Sequence, residues 1–438
     1  MRKCVPSFVL CAILAFSATS MAFANGEKDV AESSATSELK ISVFQGGFGR
    51  EYWDLMAERF QEQTGIQTTV EASPNIAEMI RTDILSGNAP DFVFLQANEA
   101  VTKTLMADRQ LVDLTDTIAP IKDKFVDGTF SMKSIAPYGD GRVYLTPFVS
   151  STMGLWYNKT HFEENGIATP ATWDEFFALD GASAERALFT YQGIYPGYLQ
   201  CFLYSVFAAS SENGKGMLDR LTSYDPTTLD DPGFRNALAL LEKMNSEDLL
   251  LKGTVGMDHT MSQSEFLKGS ALFIPCGSWI VNEMADAPKE DGFAYGMLPA
   301  PSLKPGMDRY ISTKFEEMYI PSTAKNIENA KKFLLFLYEE ENLIEQAKLT
   351  QGLPPMKNAV ELIEPYVDPG VTASLRILEE DGVMPLGATF TPVNGMATNP
   401  EDYFWEQMGA IITGVKSPQK VVDELRPVFE EAQSLLAE

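Results

Sequence analysis

Metal or nucleophile chemistry would need histidines, cysteines or a paired acid and base at defined spacing, and this chain offers few of them. Its two histidines, His161 and His259, lie far apart with no HExxH or paired CxxC nearby, so a zinc site would lack ligands. Of the four cysteines, Cys4 and Cys11 fall in an apolar N-terminal stretch. Cys201 and Cys276 remain, enough for one disulfide or for two buried free thiols. With 61 acidic residues in the chain, the presence of carboxylates says nothing about acid–base catalysis. Nothing here calls for a metal or a cofactor. More telling are two polar segments, Gln45-Gly46-Gly47-Phe48-Gly49-Arg50 and Gln96-Ala97-Asn98-Glu99. Arg50 can hold hydroxyls or a carboxylate bidentately, or sit at a solvated helix start. Asn98 can touch a ligand or cap a helix.

The elements that must position these segments are legible around them. Leu39 to Phe44 is a β-prone run, after which Tyr52, Leu55, Met56, Ala57 and Phe60 recur at helical spacing until Gly65. The unit repeats with a strand at Gln67 to Val70, a helix face at Ile76, Met79, Ile80 and Ile84 ending at Gly87, and a strand at Phe92 to Leu95. Alternating strands and helices predict α/β architecture with a parallel sheet flanked by helices. In such sheets ligands lie beyond the carboxyl ends of the strands, which places residues 45 to 50 and 96 to 99 at a site by topology alone.

Farther along, Met153 to Tyr157 and Ala271 to Ile274 read as strands. Thr172-Trp173-Asp174-Glu175 is a capping box, and Ser262-Gln263-Ser264-Glu265 is a second candidate. Pro299 to Pro305 reads as a connection, and beyond residue 325 the pattern is mostly helical, including Ala330 to Tyr338, Tyr403 to Ile412 and Val421 to Leu436.

The N-terminus carries Arg2 and Lys3, an apolar run from Val9 to Phe16 and Ala22-Phe23-Ala24, the layout of a cleavable signal peptide over residues 1–24. Residues 25–38 read as a solvated lead-in. No Cys stands at the end of the signal, so a free periplasmic protein is expected over a lipid-anchored one. The formal charge of −27, two units more negative once Arg2 and Lys3 leave, repels phosphate backbones and sets nucleic acid aside. A length of 438 residues suggests about two or three domains.

Taken together with the signal, Asn88-Ala89-Pro90-Asp91, Gly154-Leu155-Trp156-Tyr157-Asn158-Lys159, Pro170 with the Thr172 box, and Phe266-Leu267-Lys268-Gly269 through Gly277-Ser278-Trp279 give a chain that resembles the family 1 extracellular solute-binding proteins, sugar-binding components of ABC importers. The resemblance spans nearly the whole exported chain. It implies a two-lobed periplasmic-binding-protein fold of class II, each lobe a sheet flanked by helices and built from discontinuous segments. Residues 39–149 plus 306–352 would form one lobe and 150–305 plus 353–438 the other, with crossovers near 149, 305 and 352. It further implies a monomer that closes on a sugar by a hinge motion and is recognised by membrane permease subunits, without catalysis.

Carried over residue by residue, the resemblance makes Trp279, Tyr195 and Trp405 the stacking aromatics, with Tyr198 beside Tyr195. A pyranose offers them a flat C–H face, although Trp405, next to Phe404 in a helix, fits a core role equally. Gln45, Asn98 and Glu99 fall at polar contact positions, and Phe48 stands where the maltose-binding members carry lysine. Ser151 replaces a glutamate at the first crossover. Glu316 and Glu317 fall at the return crossing, where they could line the cleft, although acid-rich composition favours solvated roles. Asn158-Lys159-Thr160 spells a glycosylation sequon but belongs to a strand end. Two rivals follow: an exported carbohydrate-active enzyme, and the same fold carrying a polyamine, amino sugar or other small solute, which Glu99 would suit.

Overall fold

A computed structural model describes residues 38–132, 134–182, 185–377 and 382–437. The signal and most of the lead-in, residues 1–37, lie outside the described residues. Folding starts with β1 (Glu38–Phe44), α1 (Glu51–Thr64), β2 (Gln67–Ser73), α2 (Ile76–Leu85), β3 (Phe92–Phe94) and α3 (Ala100–Ala107). β1 pairs in parallel with β2 on one side and β3 on the other, so the first loops leave the sheet at its carboxyl end, as the alternation predicted. Asp91 secures this edge. Its buried carboxylate accepts from the backbone N–H groups of Lys40 at 2.9 Å, Lys325 at 3.1 Å and Asn326 at 2.9 Å, which gives the Asn-Ala-Pro-Asp motif a structural reason.

The remaining strands are β4 (Leu145–Asn158), β5 (Ala187–Phe189), β6 (Ala271–Gly277), β7 (Tyr295–Leu298), β8 (Arg309–Tyr319) and β9 (Val383–Leu386). They run in the order β2-β1-β3-β8-β4-β6-β5, with β7 on β4 and β9 on β8. The expectation of a parallel sheet therefore holds only in part. β8 is antiparallel to β3 and β4, and β4 is antiparallel to β6 and β7. The reason is connectivity: β4 and β8 pass between two bodies of the molecule in opposite directions, and a βαβ crossover cannot make that connection.

Two main cores flank this ladder. One gathers β1, β3, α1 and the helix Ile327–Leu337, with Trp53 stacked on Phe94 and tilted against Phe148. The other gathers the helices Gln200–Ala209, Pro232–Ser246, Pro400–Ile412 and Pro418–Ala437, with a smaller cluster around Trp156, Ile274 and Tyr295. Along β8, Ile311 packs in that smaller cluster while Met318 and Tyr319 pack in the first core. Beside β4, Ser150 N–H donates to the Leu353 carbonyl at 2.8 Å.

Local signals behave as their chemistry demands. Thr172 and Glu175 form the reciprocal capping box. Asn158 is buried, caps the helix that follows by accepting from His161 N–H and donates to Glu290, so its side chain has a structural role. The second capping box is corrected: the helix starts earlier, at His259, with Asp258 accepting from Met261 N–H at 2.8 Å. A carboxylate one turn upstream took the N-cap, and Ser262 and Gln263 became buried helix-interior residues. Cys201 and Cys276 are buried free thiols, both pushed up by burial.

Candidate functional site

The loop after β1 meets the second body of the molecule. Gly47 carbonyl accepts from Asn282 Nδ2 at 2.8 Å, and a Cβ on Gly47 would lie 3.1 Å from Cβ of Trp279, so the approach needs glycine. Gln45 remains half-buried beside this contact. Phe48 turns toward the first core. It is buried, edge-on to Phe148 in the first core, because an apolar ring at this turn gains more from the core than from water. Arg50 is likewise engaged elsewhere. Its exposed guanidinium holds Asp54 bidentately at 2.8 and 2.9 Å, the solvated helix start. Asn98 is exposed, and Glu99, not Asn98, stands at the N-cap position of α3. Across the same face Lys103 of α3 lies 3.9 Å from Glu401 at the start of the helix Pro400–Ile412.

On the opposite body, the strand end of β6 runs through Gly277-Ser278 into Trp279. The indole folds back over Gly277, where any Cβ would overlap the ring. Trp279 is half-buried and packs against both the first core and the cluster around Trp156. Its Nε1–H donates to the Tyr198 hydroxyl at 3.0 Å. Tyr198 in turn opens onto a cavity of about 400 Å³ that Tyr195, His259 and Trp405 also line, with Asp402 and Glu406 beside them. Tyr195 is 46 % exposed and stacks on His259 at 4.5 Å, and Tyr198 is tilted against the same imidazole at 4.3 Å. Trp405 is buried edge-on against Tyr204 and Phe404, the core role, and part of it lines the cavity.

His259, like Asp402 and Glu406, lines this cavity without having been expected there, the sequence having marked it only as a possible metal ligand. Burial holds its imidazole below the usual range, although Glu283 and Asp258 pull the other way, which favours the neutral ring that packs against the two tyrosines. Among the described residues no group of three or more His, Cys, Asp or Glu could hold a metal ion. Nor is any described helix long and apolar enough to cross a membrane.

The ladder between the two bodies holds charge. Glu316 and Glu317, expected in solvated roles, are both 3 % exposed. They sit in the middle of β8 with β4 on one side, and their acid-rich context carried no signal of that cover. Burial pushes the Glu317 carboxyl up to about 8, even though its Oε2 accepts from Ala97 N–H at 3.0 Å. Burial opposes the charge on Lys314, but Glu316, at 2.8 Å, holds the ammonium above its ordinary pKa. Ser151, opposite Lys314 in the ladder, is fully buried.

With this geometry in place, comparison with known proteins is informative. Residues 55–373 match a family profile described as bacterial extracellular solute-binding protein. The diacetylchitobiose binding protein NgcE of Streptomyces coelicolor is 24 % identical over 386 residues, 84 % of this chain and 80 % of that one. A maltooligosaccharide ABC transporter solute-binding lipoprotein of Streptococcus pneumoniae is 23 % identical over 388 residues, 83 % of this chain and 84 % of its own. Among solved structures, RafE of Streptococcus pneumoniae in complex with raffinose superposes with a TM-score of 0.72 at 19 % identity, covering 90 % of this chain and 99 % of that one. At that identity the likeness is one of fold, and the fold is the two-lobed α/β architecture with the β4–β8 ladder between the lobes.

Proposed function

We propose, since this chain belongs to the bacterial extracellular solute-binding protein family, that it captures an oligosaccharide between its lobes and delivers it to an ABC-type importer. The observation that carries the reading is the cavity lined by Tyr195, Tyr198 and Trp405 and joined through the Tyr198–Trp279 hydrogen bond to the contact between lobes. Stacked aromatic faces with polar tips match a sugar, whose ring is apolar on its C–H face and polar at its edge. The relatives' names point the same way, covering diacetylchitobiose, maltooligosaccharides and raffinose.

In this reading residues 39–149 and 306–352 act as one lobe, residues 150–305 and 353–438 as the other, and the ladder as the hinge. The protein is a monomer exported by its signal peptide and free in the periplasm, and its closed form is what the permease subunits recognise. Gln45, Asn98 and Glu99 supply polar contacts from the first lobe. The family and these relatives are binding proteins, and turnover of the sugar is not part of the proposed role.

The test is a thermal melt of protein from residue 25 onward, stripped of bound solute by unfolding and refolding, against diacetylchitobiose, maltotriose and raffinose. A ligand at about 100 times its Kd stabilises by roughly 2.7 kcal/mol, a shift of a few degrees. A shift with at least one sugar is expected. A flat response to all three, with a shift from a polyamine instead, overturns the carbohydrate reading.

A further inference from the structure

Three polar side chains share one face of the ladder between the lobes, two of them buried, Ser151 and Glu316, and the third, Lys314, half-buried. Ser151 and Lys314 are direct partners across β4 and β8, and Glu316 lies two residues on, opposite Val149. Strand alternation therefore puts all three side chains on the same side. Lys314 Nζ is 2.8 Å from Glu316 Oε1 and 5.2 Å from the centroid of the Trp279 ring. The ammonium thus covers a face of the indole that the site offers for stacking. With 37 % of the Lys314 side chain exposed, the group reaches solvent through the lysine.

Among the described residues, two atoms on this face have no hydrogen-bond partner, Glu316 Oε2 and Ser151 Oγ. Leaving a buried carboxylate oxygen or hydroxyl unsatisfied costs more than a typical hydrogen bond contributes. A lysine and a glutamate that served only to fill this ladder would be replaceable by apolar side chains without loss. A sugar supplies what is missing. Each hydroxyl both donates and accepts, so two on adjacent ring carbons can satisfy an anion and a cation held side by side, while the C–H face of the same ring covers the indole.

We propose that Lys314, Glu316 and Ser151 determine specificity in the cleft, reading a pair of adjacent hydroxyls on the sugar ring that stacks on Trp279. This rests on the oligosaccharide reading above. Binding moves the ammonium off the indole. Lys314 then donates to one hydroxyl, Glu316 Oε2 accepts from its neighbour, and Ser151 completes the network. A sugar carrying a carboxylate is disfavoured, because it would bring a further anion toward Glu316.

Calorimetric titration of the stripped protein tests this, first with diacetylchitobiose, maltotriose and raffinose, then with monodeoxy analogues of whichever binds tightest. Glu316→Gln and Lys314→Met are expected to raise Kd about tenfold or more, as for loss of a charge-assisted hydrogen bond. Ser151→Ala is expected to raise Kd roughly threefold to tenfold while the unliganded Tm stays the same or rises, because the hydroxyl it removes has no partner in the free protein. Removing the hydroxyl that Glu316 reads should cost the native protein about tenfold and Glu316→Gln less than about threefold, a coupling that a structural role does not produce. If Lys314→Met fails to melt cooperatively, Glu316→Gln and Ser151→Ala decide the matter. Values of Kd within about threefold of native in every folded variant overturn the proposal while leaving the sugar reading intact. A native protein that binds none of the three sugars overturns the oligosaccharide reading itself, and the proposal with it.

Discussion

Trp279 shows how one side chain can belong to both lobes. Its ring packs against two clusters, its N–H is taken by Tyr198, and its Cβ rests on the loop at Gly47. Trp279→Ala should therefore weaken sugar binding about thirtyfold or more, roughly 2 kcal/mol, as for a truncated aromatic anchor. It should also lower the unliganded Tm, because packing is lost on both sides. Titration and melting of the same sample separate the two effects, and native affinity in the variant would remove Trp279 from the site. Glu317 makes a different kind of statement. Its folded pKa of about 8 lies above its ordinary 4.5, so the native state holds a proton that the unfolded state has released between those values. Stability contributed by that proton is present at low pH and is lost as pH rises from about 5 to 8. Glu317→Gln, which keeps an acceptor for Ala97 N–H, should flatten that part of the curve and melt higher than native at pH 8. Parallel native and variant curves over pH 5 to 8 would contradict the buried acid. At this scale the sequence was a fair guide to aromatic residues and a poor one to charges. Tyr195, Tyr198 and Trp405 were expected together and line one cavity. Glu316 and Glu317 were misplaced, because whether a side chain is covered depends on strands far away in the chain.

Elements were legible where their signals were local. The Thr172 box, the helix closing at Gly65 and the β1-α1-β2-α2-β3 alternation depend on neighbours a few residues apart. The long strands were not. Only Met153 to Tyr157 was read from β4, which runs from Leu145 to Asn158 and is buried along nearly its whole length. A strand covered on both faces shows no polar alternation to mark its extent, and Pro147 near its start, where the register shifts, reads as a break. β8 escaped notice for the opposite reason, since Lys314, Glu316 and Glu317 give it the composition of a surface loop. The Asp258 cap carries the prediction for this scale. Asp258→Ala should cost about 1 kcal/mol in urea denaturation, the usual loss for an N-cap, whereas Ser262→Ala should not weaken the helix start. The reverse order would restore the later start at Ser262.

At the scale of the whole molecule, two contacts draw the lobes together without any sugar, Asn282 to the Gly47 carbonyl and Lys103 to Glu401. In the proposed closure by hinge motion, both would hold the narrowed form of the cleft. The hydrogen bond is worth about 1 kcal/mol and the ion pair, with both side chains mostly covered, about as much again. Together that is about 2 kcal/mol, or roughly a thirtyfold bias toward the narrowed form. Apparent affinity scales with the fraction of protein already competent to bind, so these contacts raise affinity without touching the ligand. The double variant Asn282→Ala, Lys103→Met should therefore have a larger radius of gyration than native protein in unliganded small-angle scattering. Its sugar Kd should rise by up to about thirtyfold, and with saturating sugar its radius should return to the native liganded value. A Kd that rises with no change in the unliganded radius would make these residues direct sugar contacts. An unchanged Kd would mean that the lobes are held by the β4–β8 ladder and the ligand alone.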